Sequence, residues 1–136
     1  MRYLCLIYLD EQKLSALPAG EMDTLNQRHL QYNDELLDRG VFIEAEALQP
    51  ASATTCVRVR NGKASLTDGP YAETKEMVAG FYLIEARDLN DAVQVASRLP
   101  AAPLGVVEVR PCRDLEVGGV AHKASRKGRV TNPTPY

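Results

Sequence analysis

The chain has 136 residues, of which 45% are hydrophobic and 25% charged. This length and composition predict one soluble globular domain with a single core. They argue against a membrane protein, because no apolar run approaches the roughly 18 residues that a membrane-spanning helix needs. Residues 1–116 hold 12 of the 16 basic side chains and all 18 acidic ones, which leaves them with a net charge of −6. An acidic main domain argues against nucleic acid as its ligand.

The N-terminal apolar run, residues 3–9, predicts a β-strand. It is too short and too aromatic for a secretory signal and lacks a small-residue cleavage site, so we expect a cytoplasmic protein. Three cysteines, Cys5, Cys56 and Cys112, are odd in number and widely spaced. This pattern argues against a disulfide framework and against a redox or metal motif. We expect Cys5 and Cys56 to be buried, reduced thiols.

After a predicted polar loop with Pro18 and Gly20, the next elements are a helix, a strand and a hairpin. Residues 21–39 carry apolar side chains at spacings of three and four, which predicts an amphipathic helix that ends at Gly40. Residues 41–48 predict a second strand. A hairpin over residues 54–67 follows, because Asn61-Gly62 between two alternating segments is the strongest short signal for a tight β-turn.

The second half of the chain repeats the strand–helix–strand order. Residues 80–86 predict a strand, and Asp88 is expected to cap a helix that ends at Pro100. Five residues should form the inner face of that helix: Leu89, Ala92, Val93, Ala96 and Leu99. Residues 106–110 predict the last strand. The order predicts an α+β fold of the ferredoxin-like βαββαβ type with an inserted β-hairpin.

Several predicted strands are apolar at nearly every position, among them residues 4–9 and 81–84. Runs of this kind indicate burial on both faces of a sheet. Two helices cover only one face of a four-stranded sheet. A second copy of the same sheet would cover the other, so the pattern predicts a homodimer formed by sheet-to-sheet packing.

One loop carries the most specific signal. Asp68-Gly69-Pro70-Tyr71 opens the segment 67–76, which, with residues 79–85, resembles the signature of the DGPF, or YCII-related, family. Tyr71 stands where the family usually has Phe. Three further stretches agree with the family in the right order: residues 2–8, 88–92 and 105–111. The resemblance therefore covers about residues 1–113. We therefore expect a YCII-related domain over residues 1–116 and a basic, mobile or partner-bound tail over residues 117–136.

The resemblance implies a dimeric α/β-barrel of ferredoxin-like subunits. It also implies that a His on the long helix pairs with the Asp of the signature, and His29 and Asp68 occupy those positions. A carboxylate that orients an imidazole leaves the other ring nitrogen free to move a proton on a substrate. The alternative is structural, with His29 a satisfied core residue and Asp68 an acceptor in its own turn.

Four more side chains are candidates for a ligand cleft beside this pair: Tyr8, Arg28, Tyr71 and Tyr82. Simple packing or surface charge also accounts for each of them. No metal site is expected, because the chain has only two histidines, and no cofactor motif is present.

Two functions follow. The first is an acid–base enzyme, cofactor-free and isomerase- or hydrolase-like, which acts on a small organic, carbonyl-type ligand. The second is a non-catalytic accessory or regulatory protein, because the family resemblance suggests a link to transcription initiation and a sigma factor as partner. The basic segment 123–129 would suit contact with nucleic acid or RNA polymerase, but such a terminus is also typical of a solubilising end.

Overall fold

The centre of the fold is a four-stranded antiparallel sheet, seen in a computed structural model that describes residues 1–124. The helices and strands, in chain order, are β1 (Arg2–Leu9), α1 (Glu11–Ser15), α2 (Glu21–Asp38), β2 (Phe42–Ala47), β3 (Thr55–Arg60), β4 (Lys63–Asp68), β5 (Met77–Glu85), α3 (Leu89–Ser97), β6 (Gly105–Pro111), β7 (Leu115–Val117) and β8 (Val120–His122). Short 3-10 turns span Ala51–Ala53 and Ala102–Leu104.

The sheet has the strand order β2-β5-β1-β6. β1 lies between β5 and β6, with Leu4 opposite Leu83 and Leu6 opposite Phe81. β5 pairs on its other side with β2. This order and the intervening helices confirm the predicted ferredoxin-like α+β fold, and β3 and β4 form a separate two-stranded sheet as the inserted hairpin.

The two faces of the sheet differ in burial. Along β1, Tyr3, Cys5, Ile7 and Leu9 are buried and the residues between them are half-buried. The buried set packs with side chains of α2 and α3 in one hydrophobic core, whose largest members include Leu36, Ile84 and Leu99. Successive strand residues point to opposite faces, so the helices cover one face and leave the other open.

Helix α2 presents to the core a narrower stripe than its sequence suggests. Tyr32 and Leu36 are its buried residues, and Leu25 packs against the core from the edge. The Tyr32 hydroxyl donates to the Val95 carbonyl of α3 at 2.7 Å, which ties the two helices together. A hydrogen bond in this buried position contributes about 1 kcal/mol to stability.

Two helical details correct the sequence prediction. A short helix, α1, stands where a polar loop was expected, because the Asp10 carboxylate accepts from the amides of Gln12 and Lys13 and caps the turn. In α3, Asp88 caps as predicted, but Leu89 and Val93 are exposed and Val95 takes the inner position beside Ala92 and Ala96. A short helix packs only the stripe that faces the sheet, and this stripe is rotated from the expected one.

The β3–β4 hairpin has the predicted turn. Asn61 and Gly62 both have positive φ, at 52° and 74°, which matches the twist of a two-residue turn between antiparallel strands. A second small hairpin, β7–β8, turns at Gly118-Gly119, near the start of the segment that was predicted to be a basic, mobile or partner-bound tail. Residues 125–136, and with them most of the predicted basic segment 123–129, lie outside the described part of the chain.

Within residues 1–124, no helix combines the length and the apolar composition that crossing a lipid bilayer requires.

Candidate functional site

His29 lies on α2 and faces the sheet, as the helical periodicity predicted. Its Nδ1 is 2.9 Å from the hydroxyl oxygen of Tyr82, a buried residue of β5. The Tyr82 hydroxyl in turn donates to the Asn33 side-chain oxygen, one helical turn after His29. Because that hydroxyl has a single proton and uses it in the hydrogen bond to Asn33, His29 must be the donor in the bond between its Nδ1 and Tyr82.

The resulting tautomer leaves Nε2 of His29 as the basic nitrogen. Burial lowers the pKa of His29 below its usual value, because the low-dielectric surroundings disfavour the imidazolium. The pKa of Tyr82 is raised to about 12, first by burial and then by the nearby Tyr32. At neutral pH the cluster of His29, Tyr82 and Asn33 is therefore uncharged, with one free proton acceptor.

Asp68 stands at the far end of the hairpin from its turn. It is the last residue of β4, its backbone pairs with Thr55, and its side chain is exposed. Within residues 1–124, no hydrogen bond or ion pair joins Asp68 to His29, and the side chain of Asp68 makes none in its own turn. The bond that His29 does make is with Tyr82, so the His29–Asp68 pair stays a prediction.

A large cleft lies elsewhere, beside the signature loop. It has a volume of about 620 Å³. One wall is the segment from Leu48 to Thr54, which follows β2, and the other is the segment from Pro70 to Val78, which leads into β5. Tyr8 of β1 also lines it, and most of the lining is apolar. A cleft of this size and character is typical of sites for small organic molecules.

Tyr8 is held in place by a carboxylate. Its hydroxyl donates to Oε2 of Glu108 on the neighbouring strand β6, at 2.9 Å. This bond to the acceptor carboxylate is the largest cause that raises the pKa of Tyr8, and the negative charge of Glu108 adds to it. Tyr8 therefore stays a neutral phenol at physiological pH.

The signature loop gives Tyr71 an unusual setting. Its side chain is 87% exposed, and it lines both the large cleft and a second one of about 350 Å³ along β3. Arg58 and Arg60 contribute to that second cleft. Tyr71 thus contributes an exposed aromatic wall to these two clefts, neither of which contains His29 or Asp68.

The predicted site residues thus fall into separate groups. Tyr8 and Tyr71 line the large cleft. His29 and Tyr82 meet on the helix-covered side of the sheet, where Tyr82 alternates with the half-buried Phe81 and Leu83 of the open face. Arg28 is an exposed residue of α2 and does not line the described clefts. A sequence pattern gives the face of a helix or strand but not which loop closes over it, which explains why the six residues were expected in one place.

The sequence did not single out Glu76, which lines the cleft as a half-buried carboxylate. The signal in the sequence that could have indicated Glu76 was a charged residue directly before an apolar strand.

The described residues contain no cluster of three or more His, Cys, Asp or Glu side chains suited to a metal ion. The three cysteines are free thiols, and burial, with a smaller effect from Cys112, raises the pKa of Cys5 to about 11. Such a thiol is protonated and unreactive at neutral pH.

Comparisons with known proteins agree on one family. The model of the YCII-related domain matches residues 1–116. The chain is also similar to an uncharacterized protein of Rhizobium meliloti (strain 1021), at 34% identity over 113 residues. That alignment covers 82% of this chain and 91% of the relative. The resemblance inferred from the signature loop is confirmed: the chain belongs to the YCII-related family.

Proposed function

We propose that this protein is a cytoplasmic homodimer that binds a small, largely apolar organic molecule in the cleft beside Tyr8 and the signature loop. The observation that carries the proposal is the cleft itself, about 620 Å³ and mostly apolar in its lining. Ligand sites of this kind combine apolar walls with a few placed polar groups. Tyr8 and Glu76 supply such groups here.

The position of the cleft on the fold supports the same function. Rigid elements hold both walls: Leu48 donates its amide to Ala79 of β5, and Gly69 donates to Thr54 at the base of the hairpin. The loop of the family signature, Pro70 onward, is therefore a wall of the cleft rather than a free turn. Loops positioned by a rigid scaffold are common places for binding residues.

The homodimer is supported by the open face of the sheet. Leu4, Leu6, Phe81 and Leu83 lie side by side on it, at cross-strand positions, and no helix of the described chain covers them. A contiguous apolar strip of this kind marks an interaction surface. A second copy of the sheet offers a strip of the same chemistry, which suits a two-fold, self-complementary contact.

Acid–base chemistry at His29 with Asp68, without a cofactor, is part of the proposal. The neutral His29 with a free Nε2 is what supports it, since a general base needs an unprotonated nitrogen near neutral pH. For this chemistry the Asp68 carboxylate would have to lie close to the His29 imidazole in the active protein. The expected result is that His29 titrates in NMR spectra and that its pKa falls in Asp68→Asn. A His29 pKa that ignores this substitution would leave ligand binding without the dyad.

Ligand binding is tested by an NMR screen of small apolar and aromatic fragments. We expect hits that shift the resonances of Tyr8, Tyr71 and Val78. Ala53→Trp should abolish those shifts, because Ala53 lines the cleft and its exposed side chain can be enlarged into it without disturbing the core. Ala19→Trp, in an exposed loop away from the cleft, is the matched control and should retain them. Fragments that bind both variants equally would refute the site.

A second candidate function, an accessory role with a partner such as a sigma factor, is favoured by the hairpin. Val57, Val59 and Leu66 share one face of it and are 65%, 58% and 69% exposed. An uncovered apolar face on a projecting hairpin suits a protein partner. Binding of a purified sigma factor that is lost in Val57→Ser with Leu66→Ser, but kept in Ala53→Trp, would favour this function over the first.

A further inference from the structure

In the cleft that we propose as the ligand site, the backbone of the first wall has few hydrogen-bond donors left to offer. Four backbone amides of its first wall already donate within the chain: Leu48 to Ala79 O at 2.8 Å, Ala51 to the Glu11 carboxylate at 2.7 Å, Ala53 to Pro50 O at 2.9 Å and Thr54 to Ala51 O at 3.0 Å. Pro50 and Pro70 have no amide proton. An anionic group needs several convergent donors to replace its water, and the first wall does not present them.

Two side-chain donors of the lining are used in the same way. The Tyr8 hydroxyl gives its proton to Glu108, so its oxygen faces a ligand as an acceptor. The Thr74 hydroxyl gives its proton to the carbonyl of Glu76. Gln49, Thr54 and Tyr71 can each donate or accept, so they do not favour either kind of ligand.

The hydrogen-bond acceptors of the cleft, in contrast, include a carboxylate that has no partner within residues 1–124. Among the described residues that line the cleft, Glu76 alone carries a formal charge at neutral pH. Within residues 1–124 its half-buried carboxylate has no hydrogen bond or ion pair. A carboxylate without a partner gains most from a ligand that carries a positive charge or N–H donors.

Two further carboxylates are bonded to residues of the lining. Glu108 is bonded to Tyr8, and Glu11 is bonded to Ala51. Arg110 also acts on Tyr8, but its effect on the Tyr8 pKa is smaller than that of Glu108, and Lys75 next to Glu76 is exposed and not part of the lining. Counted with Glu76, the acidic groups named here outnumber the basic ones, three to two.

From these observations we infer that the cleft selects small apolar amines, with a protonated nitrogen or N–H donors placed at Glu76, over carboxylates and phosphates. The inference rests on the proposed function, because it names the ligand class of the same site. The apolar walls would take the hydrocarbon or aromatic body, and the ammonium would pair with the Glu76 carboxylate.

Three probes of one shape test this selectivity. Tryptamine, tryptophol and indole-3-acetate share an indole ring on a two-carbon arm and end in an ammonium, a hydroxyl and a carboxylate at pH 7. Titrated by NMR at low salt, tryptamine should bind about tenfold tighter than tryptophol, and indole-3-acetate should bind most weakly. In Glu76→Gln the advantage of tryptamine over tryptophol should disappear. Glu73→Gln, an exposed neighbour outside the lining, should leave it unchanged.

The possible outcomes distinguish a failure of the amine preference from a failure of the proposed ligand site. If tryptophol binds and tryptamine binds no tighter, or if its advantage survives in Glu76→Gln, the amine preference is wrong while the cleft remains a ligand site. If indole-3-acetate binds tightest, the preference is reversed and likewise refuted. If none of the three shifts the resonances of Tyr8, Tyr71 or Val78, both the inference and the proposed ligand site fail.

Discussion

At the scale of single residues, the charge of His29 is set by what surrounds it. The Tyr82 hydroxyl accepts a hydrogen bond from Nδ1 of His29 and donates one to the side-chain oxygen of Asn33. The protein thereby stabilises one neutral tautomer of His29. Half-burial disfavours the second proton that would make the ring a cation. The same arrangement suits a general base and a structural histidine, and only its response to pH and to ligands separates these roles.

A pH dependence of stability follows from the lowered pKa of His29. In the unfolded chain this residue takes up a proton near its ordinary pKa of about 6.5, while the folded protein resists protonation. The unfolded state therefore binds more protons in the window below that value, and folding is destabilised as the pH falls through it. Chemical denaturation should show a free energy of unfolding that decreases between about pH 7 and pH 5.

The comparison that isolates His29 is His29→Gln, which has no ionisable group and can still donate to Tyr82. In this variant the decrease over that window should be smaller than in the wild type. His122, exposed in β8, gives the matched control, since His122→Gln should keep the wild-type slope. Equal slopes in wild type and His29→Gln would mean that His29 is not the group responsible.

At the scale of elements, the contact between β1 and β6 depends on one glycine. Gly105 opens β6 opposite Leu9, and a Cβ added there would lie 1.9 Å from the Tyr8 carbonyl oxygen and 3.0 Å from a methyl group of Leu9. The φ of Gly105 is extended, at −169°, so a side chain is excluded for want of space and not by its backbone conformation. The strand pair that carries Tyr8 into the cleft is thus closely packed at this end.

Gly105→Ala should destabilise the protein by about 2–3 kcal/mol, because the strands must separate to admit the methyl group. Gly20→Ala gives a contrast. Gly20 has φ of 84° with nothing within 4 Å of an added Cβ, so only the left-handed conformation opposes the change, at about 1 kcal/mol. Urea denaturation of both variants measures the difference. A loss for Gly105→Ala no larger than for Gly20→Ala would show that the strands adjust easily.

Sequence reasoning was accurate for elements whose signals are local. Asn61-Gly62 predicted the hairpin, Asp88 the cap of α3, and the periodicity of residues 21–39 the long helix. The first turn after Asp10 and the β7–β8 hairpin were missed, because five- and three-residue elements carry almost no periodicity. For the site, sequence reasoning gave Tyr8 and Tyr71 as lining residues but not the loop of residues 48–54 that faces them. That pairing depends on tertiary contacts between distant segments.

At the scale of the whole molecule, the two faces of the sheet differ in burial, and the less buried face is suited to an interface. One face carries the core between sheet and helices, and the other presents Leu4, Leu6, Phe81 and Leu83 at cross-strand positions with charged residues such as Glu44 and Arg110 at the margins. An apolar centre with a charged rim is the usual anatomy of an interface. Tyr8 belongs to this face and also lines the cleft, so dimerisation and ligand binding would share a boundary.

The oligomeric state is the prediction that this arrangement makes. Light scattering coupled to gel filtration should give the mass of two chains of 15.0 kDa each, and the melting temperature should rise with protein concentration. Leu6→Asp places a charge at the centre of the strip and should yield a monomer. Leu30→Asp introduces the same charge on the exposed side of α2 and should leave the dimer intact. A wild-type chain that stays monomeric, with a melting temperature independent of concentration, would mean that the open face is covered by something other than a second copy.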